Sequence, residues 1–364
     1  MTRRQYLIGG GVAAVIGAAV YGGRVRMGSS SDYDAAVAAM RTSLPDPAQT
    51  LDLVRYATLA ASSHNTQPWL FHASPNAIRI LPDRSRVTPI VDPDDHHLFT
   101  SLGCAAENLA IAAARIGHAG ELSFDPSGGG SILFTHKPTA AAASPLFDAI
   151  PRRQSTRAEY DRRMPPAADL AALRNAAAIA GVDLQLITDR PRIERIRDLV
   201  IAGNSAQFGD PAFIRELKAW LRFSPRRALD SGDGLYSATT GNAAMPEWLG
   251  SLAFDKFVSA ASENDRYARQ LRSSAGVAVF VGAREDPEHW LKVGRACQRF
   301  ALQATALGIR TAFINQPVEV AAVRPELAQL IGVPGRRPDI VMRFGYGPAM
   351  PYSARRAARA VIIA

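Results

Sequence analysis

Lysine is almost missing from this chain: Lys137, Lys218, Lys256 and Lys292 stand against a Lys+Arg total of 42. Arginine therefore carries nearly all of the formal net charge of +9. A nucleic-acid reader would gather that charge into a stripe interleaved with aromatics. Here the doublets Arg152-Arg153, Arg162-Arg163, Arg226-Arg227, Arg336-Arg337 and Arg355-Arg356 are scattered along the chain, so the surplus reads as compositional bias and no nucleic-acid partner is expected. Cysteine is scarcer still. Cys104 and Cys297 cannot make a disulfide framework, and both stand in Ala-rich helical patterns where a thiol behaves as a small buried hydrophobe. The seven histidines form no H-x-x-x-H pattern and His96-His97 has no cysteine pair nearby, so no structural metal is expected. Long apolar runs are also lacking: the uncharged stretch Tyr6 to Tyr21 is shorter than the roughly 20 residues of a spanning helix and is diluted by glycine.

What is present is length. At 364 residues the chain exceeds the roughly 100 to 200 of one typical domain, which favours two fused units. Its 47% apolar and 21% charged residues are ordinary for a globular protein with a large core. The N-terminus, Thr2-Arg3-Arg4-Gln5-Tyr6-Leu7-Ile8 before the Gly/Ala-rich run, resembles a twin-arginine export signal. That resemblance implies recognition by the twin-arginine export machinery and a periplasmic location, or one on the outer face of the cytoplasmic membrane. Gly17-Ala18-Ala19 is a poor cleavage site, which leaves removal or retention as an anchor open. Such export carries folded proteins, which suits a chain that acquires a cofactor before leaving the cytosol.

Signal and linker occupy residues 1–31, and the folded body starts at 32 with a short helix to Arg41. Apolar spacing predicts a helix over 47–61, then a polar loop, then strands at 69–72 and 77–81 around the turn Ser74-Pro75-Asn76. A stripe of Leu102, Ala105, Leu109, Ala113 and Ile116 predicts a helix over 98–116 ended by Gly117, with a strand at 121–124 beyond it. Sliding the chain by about 190 residues lays Gly103, Ala105, Ala110, Ala113 and Gly117 over Gly294, Ala296, Ala301, Ala304 and Gly308. An internal duplication follows, with halves 32–145 and 146–364 divided at the Ala/Pro/Ser segment 138–145. In the second half strands are expected at 184–187, 277–281 and 310–314, and a lid-like insertion at 223–250.

Three segments carry the chemistry. Ser62-Ser63-His64-Asn65-Thr66-Gln67-Pro68-Trp69 resembles the flavin loop of the nitroreductase superfamily, a small-residue pair followed by N-x-Q-P-W. Its short polar side chains, Ser62, Ser63, Asn65 and Gln67, can serve the hydrogen-bonding edge of a flavin ring. Arg153-Gln154-Ser155-Thr156-Arg157 resembles the superfamily's R-x-S-x-R segment, in which two guanidinium forks and a hydroxyl address the FMN phosphate. Arg343-Phe344-Gly345-Tyr346-Gly347-Pro348, followed by Arg355-Arg356, is similar to the superfamily's C-terminal glycine turn and basic pair. By position, Asn315-Gln316-Pro317 is the expected neighbour of flavin N5.

The loop stands only in the first half and the arginines only in the second. In the superfamily each subunit carries both and FMN sits between subunits. The resemblance is to the fused Acg-type branch, over roughly 47–362, and implies an α+β nitroreductase-like fold as an intramolecular pseudo-dimer with one FMN. The implied function is an oxidoreductase reducing a small acceptor; the alternative is a non-catalytic flavin-holding protein whose lid excludes NAD(P)H. Hydride uptake by a flavin needs no dedicated acid or base, so no catalytic residue is assigned.

Overall fold

The computed structural model describes residues 27–363; the Arg3-Arg4 pair and the run to Tyr21 lie outside the described residues. Helix α1 (Ser30–Ala39) starts where Ser29 accepts hydrogen bonds from the Ser31 and Asp32 amides, and α2 (Thr50–Thr58) starts on a reciprocal Gln49–Asp52 capping box. The hairpin β1 (Trp69–Ser74) and β2 (Ala77–Pro82) pairs Trp69 with Pro82 and Ser74 with Ala77. Helix α3 (His96–Arg115) follows and stops at Gly117, whose φ of 78° suits glycine. Strands β3 (Gly120–Asp125) and β4 (Ser131–His136) complete the first half, β4 being one the sequence reading had not separated out.

Past α4 (Pro145–Ala149) and α5 (Ala167–Ala176), the second half opens with β5 (Val182–Ile187). A long insertion then holds α6 (Arg190–Phe208), α7 (Pro211–Ala219), β6 (Leu221–Arg222), α8 (Pro225–Ser231), β7 (Leu235–Tyr236), α9 (Glu247–Phe257) and α10 (Ala260–Ser273). The expected lid at 223–250 is thus the middle of a larger helical unit. After it come β8 (Gly276–Gly282), α11 (Pro287–Ala306), β9 (Arg310–Phe313), α12 (Gln316–Glu319), α13 (Arg324–Leu330), β10 (Ile340–Gly345) and β11 (Ile362–Ile363). Arg343 to Gly345, expected as part of a glycine turn, are the end of strand β10.

The fold is α+β. One sheet has the order β11-β1-β2-β4-β3 and the other β5-β8-β10-β9, so each half repeats one four-strand antiparallel order with its long helix between the second and third strands. Burial differs between them. Strands β8 and β10 are buried at every residue because α11 covers one face and α6 and α10 cover the other, whereas β1 and β3 expose residues. The C-terminal tail returns to the first half, where Ile362 pairs with Phe71 in a parallel bridge and Val361 joins the core.

The two long helices cross through glycine. A Cβ on Gly103 would lie 2.1 Å from the Leu291 carbonyl oxygen, and one on Gly294 would lie 2.0 Å from that of Thr100. Both glycines and both carbonyl residues are related by the same shift in the chain, the reciprocity a two-fold axis generates. Gly294→Ala should cost at least about 2 kcal/mol of unfolding free energy, although alanine is favoured over glycine by roughly 1 kcal/mol inside a helix. Urea denaturation checks this; an unchanged midpoint would mean that the helices can move apart freely.

Candidate functional site

The loop after α2 is held in an unusual backbone. His64, Asn65 and Gln67 all take positive φ, at 45°, 55° and 53°, which costs of order 1–3 kcal/mol per residue unless the surroundings fix it. The surroundings do. The Asn65 amide donates to the Gly234 and Ala354 carbonyls at 3.1 and 3.2 Å, and the Gln67 amide donates to the Gly232 carbonyl at 2.8 Å. Gln67 also accepts the Arg356 backbone N–H at 2.9 Å, and its own N–H reaches the Ser62 hydroxyl at 3.1 Å. Two expected flavin contacts, Asn65 and Gln67, are therefore spent on clamping the loop to the insertion and the tail, and neither lines the cavity.

That clamp presents Ser62, Ser63 and His64 to a cavity of about 460 Å³ between the halves. Helix α3 adds His97, Thr100, Ser101 and Cys104 to the wall, and the second half adds Arg157, Phe313, Asn315, Gln316 and Glu319. The insertion lines the remaining side with apolar residues, among them Phe208, Phe213, Phe223, Leu235, Met245 and Phe254, and with polar ones such as Asn242, Glu263 and Arg266. The volume lies within the 300–1,000 Å³ range of small-molecule sites. The lid is not a free flap: Asp233 is paired with Arg222 at 2.6 Å and with Arg86 of the first half.

Several cavity atoms have no protein partner. The Arg157 guanidinium makes no hydrogen bond or ion pair among the described residues, although its backbone carbonyl accepts from the Gln270 amide at 2.6 Å, and burial pulls its pKa down. Gln316 Oε1 and His64 Nδ1 are buried without a hydrogen bond, and burial lowers the pKa of His64. Asn315, by contrast, accepts the Val341 N–H at 2.9 Å, and Ser155 bridges to Thr311 in parallel-strand fashion outside the lining.

The other arginines do not gather as the sequence suggested. Arg153 and Arg355 lie together behind the Ala61–Cys104 wall, joined by Arg41, and all three are nearly buried. Each donates only to backbone carbonyls: Arg41 to Pro151 at 2.9 Å, Arg153 to Leu59 at 3.2 Å, and Arg355 to Thr58 at 2.9 Å and Ala60 at 3.2 Å. No carboxylate pairs with any of them among the described residues. Burial, then the Arg153 charge, lowers Arg41 to about 10; burial, then Arg41 and Arg153, takes Arg355 well below its ordinary value. Arg157 stands apart, beside Tyr267, Arg266 and Arg343, and Arg356 turns away to Asp83 at 3.1 Å. Length of side chain explains the difference: a guanidinium reaches far enough that neighbours in sequence enter different environments.

Sequence reasoning missed Arg41, which has no motif around it, and a polar chain on the cavity wall. His97 Nε2 lies 3.4 Å from Glu319 Oε1, and the Gln207 amide donates to Glu319 Oε2 at 2.7 Å. Burial alone would push the His97 pKa down, but the Glu319 hydrogen bond and the charges of Asp92 and Glu319 outweigh it and the value is raised. Burial likewise opposes ionisation of Glu319, and His97, His64 and Gln207 reverse that and lower its pKa. The only signal was the His96-His97 pair, read above solely for metal binding.

No family model matches the chain. Curated sequences do. It is 25% identical over 324 residues to a Mycobacterium tuberculosis protein named "Putative NAD(P)H nitroreductase Rv3131", covering 85% of this chain and 89% of that one. It is 24% identical over 321 residues to "Putative NAD(P)H nitroreductase acg" of the same organism, covering 84% and 93%. Among solved structures, an FMN-bound nitroreductase from Bacteroides fragilis aligns with 59% of this chain and 96% of its own, at TM-score 0.38 and 18% identity. The FMN-dependent nitroreductase NfnB from Mycobacterium smegmatis, in complex with NADPH, aligns with 60% and 91%, at TM-score 0.38 and 13% identity.

The His97–Glu319 pair has a pH signature. A histidine raised above 6.5 in the folded state contributes stability fully below about pH 6.5 and loses it as pH rises through the raised value; Glu319, lowered, contributes above about 4.5. The stability difference between the parent and His97→Gln should thus be greatest near pH 5.5 to 6.5 and shrink toward pH 9. Urea titrations at three pH values measure it, and a difference that grows with pH would refute the pairing.

Proposed function

We propose that the chain is an FMN-dependent oxidoreductase of the nitroreductase superfamily, of the Acg-like branch, in which two half-subunits fused by duplication share one flavin. The observation that carries the reading is the complementary cavity, to which the first half gives Ser62, Ser63 and the α3 wall and the second gives Arg157, Asn315 and Gln316. The curated relatives, similar over most of their length and of this chain, support it.

The residues present fit the cofactor. A flavin ring offers an N3–H donor and carbonyl acceptors; the unpartnered Gln316 Oε1 is an acceptor and the unpaired Arg157 a donor. The phosphate calls for cations, and Arg153, Arg355 and Arg41 supply three without carboxylates behind the cavity wall, although none of the three lines the cavity itself. Ser62 and Ser63 remain as hydroxyl donors from the loop. When bound, FMN would supply hydride transfer to a small acceptor. The protein's part is to hold Arg157 and Gln316 on the ring edge, to cover the ring with the apolar side chains of the insertion, and to hold the hydrogen-bonded His97–Glu319 pair on the wall.

Export through the twin-arginine route, with a periplasmic or outer-face location, belongs to the same proposal and follows from the N-terminal sequence alone. The relatives' names point to NAD(P)H as donor, while the insertion over the cavity favours the second reading, a flavin-holding protein closed to nicotinamides. Adding NADPH anaerobically to the yellow protein separates them: bleaching supports the oxidoreductase, and an unchanged spectrum supports the holding role.

The arginine assignment has its own test. A charge-assisted hydrogen bond is worth about 1.5–3 kcal/mol, roughly tenfold to a hundredfold in affinity. Arg153→Ala or Arg355→Ala should weaken FMN by about that factor more than riboflavin, which lacks the phosphate. Arg157→Ala should weaken both flavins alike. Titration of apoprotein with each flavin decides, because damage to the fold would lower both affinities together. If Arg157→Ala selectively loses FMN, the phosphate sits at Arg157 and the division is wrong.

A further inference from the structure

Cys104 and Cys297 are the only cysteines of the chain, and the fold brings them together across the two halves. Cys104 stands on α3 directly after Gly103, and Cys297 stands on α11 one turn after Gly294, so both flank the crossing that joins the halves. The backbones approach closely there: a Cβ on Gly294 would lie 3.1 Å from the Cys104 nitrogen. The Cys104 thiol donates to the Gly294 carbonyl at 3.2 Å, which places its sulfur over the turn that carries Cys297. The two thiols interact, the Cys297 proton being shared with Cys104. A disulfide needs Cα atoms within about 7 Å of each other, a condition that so close a crossing favours.

The surroundings of the two sulfurs differ. Cys104 lines the cavity, where a small solute can reach it, and Cys297 does not. Sharing its proton with Cys104, and then burial, holds the Cys297 thiol well above its ordinary pKa, so Cys297 keeps its proton. Arg153 is the cation beside the pair: negative charge on either sulfur counters the burial that lowers its own pKa. A thiol that is reachable and stands beside a cation differs from an inert packing cysteine, because the cation favours the thiolate that attacks an oxidant.

We propose that Cys104 and Cys297 form a reversible disulfide when a small peroxide enters the cavity, locking the two halves together at the helix crossing. The Cys104 thiolate attacks one peroxide oxygen, the O–O bond breaks, and the sulfur becomes a sulfenic acid while the departing hydroxide takes up a proton as water. The Cys297 sulfur then attacks the Cys104 sulfur, the S–O bond breaks, and a second water leaves with the Cys297 proton. Two thiols and one hydrogen peroxide thus give one disulfide and two waters. A dithiol reductant reverses the change by exchange. Without the bond, α3 and α11 are held by packing and hydrogen bonds alone; with it, about half the chain is closed into a loop and the unfolded ensemble is narrowed. The bond also fixes the cavity wall at Cys104, so the redox state of the pair reaches the site that the halves share.

The test needs no flavin turnover, so its failure and the failure of the oxidoreductase reading are distinguishable. Hydrogen peroxide is added to the full chain, both with its flavin and stripped of it, and the remaining thiols are counted by alkylation after denaturation. Untreated protein should take a label on each of its two free cysteines, oxidised protein none, and dithiothreitol should restore both. Before reduction, mass spectra should show the Cys104 and Cys297 peptides joined, and the oxidised form should unfold at higher urea than the reduced one. Single variants read the order of attack: Cys297→Ser should accumulate a sulfenic acid at Cys104 that dimedone traps, and Cys104→Ser should leave Cys297 at least about tenfold slower to oxidise. The label count and the joined peptides of the parent decide even where a variant fails to fold. Labels that survive peroxide in both forms of the protein, bonds between chains instead of within one, or equal oxidation rates in the two variants would each overturn the proposal.

Discussion

The helix crossing at Gly103 and Gly294 places everything else. Because each glycine lies against a carbonyl of the opposite helix, the axes approach closely enough for side chains just beyond the crossing to bond across it. Cys104 Sγ reaches the Gly294 carbonyl at 3.2 Å, and the Gln298 amide donates to Asn108 Oδ1 at 2.8 Å. On its rim the nearly buried Glu107 holds Arg295 and Arg299 at 2.8 and 2.7 Å. The crossing also reaches the cavity: Gln298 Oε1 accepts the Ala61 N–H at 3.4 Å, one residue before the strained loop. A chain of contacts thus runs from the glycine pair to Ser62 and Ser63.

Equal topology does not make equal surroundings. Two sheets with the same strand order could in principle frame two equivalent clefts, yet the insertion and the C-terminal tail both converge on the loop of the first half. Gly232 and Gly234 from the insertion and Ala354 and Arg356 from the tail accept or donate the hydrogen bonds that fix Asn65 and Gln67. The insertion consequently lies over this cleft. The same insertion supplies the second cover of the β5–β10 sheet, which is why Gly276–Gly282 reads as an unbroken apolar run where β1 mixes buried and exposed residues.

What the sequence disclosed depended on how local the physics was. The α3 helix was legible because its stripe and its terminal Gly117 are set within a few turns, and the reading of 98–116 differs from the observed 96–115 only at the ends. The loop was legible from its turn residues, but not the direction of its side chains: nothing within eight residues says that Asn65 and Gln67 bond to segments more than 160 residues away. Arginine was the least readable. Arg153 and Arg157 are four residues apart, and one caps the carbonyls after α2 while the other faces the cavity. The His97–Glu319 pair is joined only by the fold, and the adjacent His96-His97 doublet offered no hint of the Glu319 partner.

The buried arginine trio poses the sharpest energetic question in the molecule. Desolvating a guanidinium is expensive, and burial is the first cause of the lowered pKa of all three; repulsion from neighbouring arginines adds to it at Arg41 and Arg355. The carbonyls of Thr58, Leu59 and Ala60, at the negative end of α2, offset part of this, since a helix C-terminus carries about half a negative charge. Half a charge against three leaves the cluster under-compensated. A bound dianion would complete it, and because the cations already stand desolvated and held by backbone, little reorganisation would be needed on binding. A ligand bound there would add to the stability of the fold. The loop shares an anchor with this cluster: Ala354, whose carbonyl accepts from the Asn65 amide, directly precedes Arg355, so the strained loop and the arginine trio are tied by the same stretch of tail.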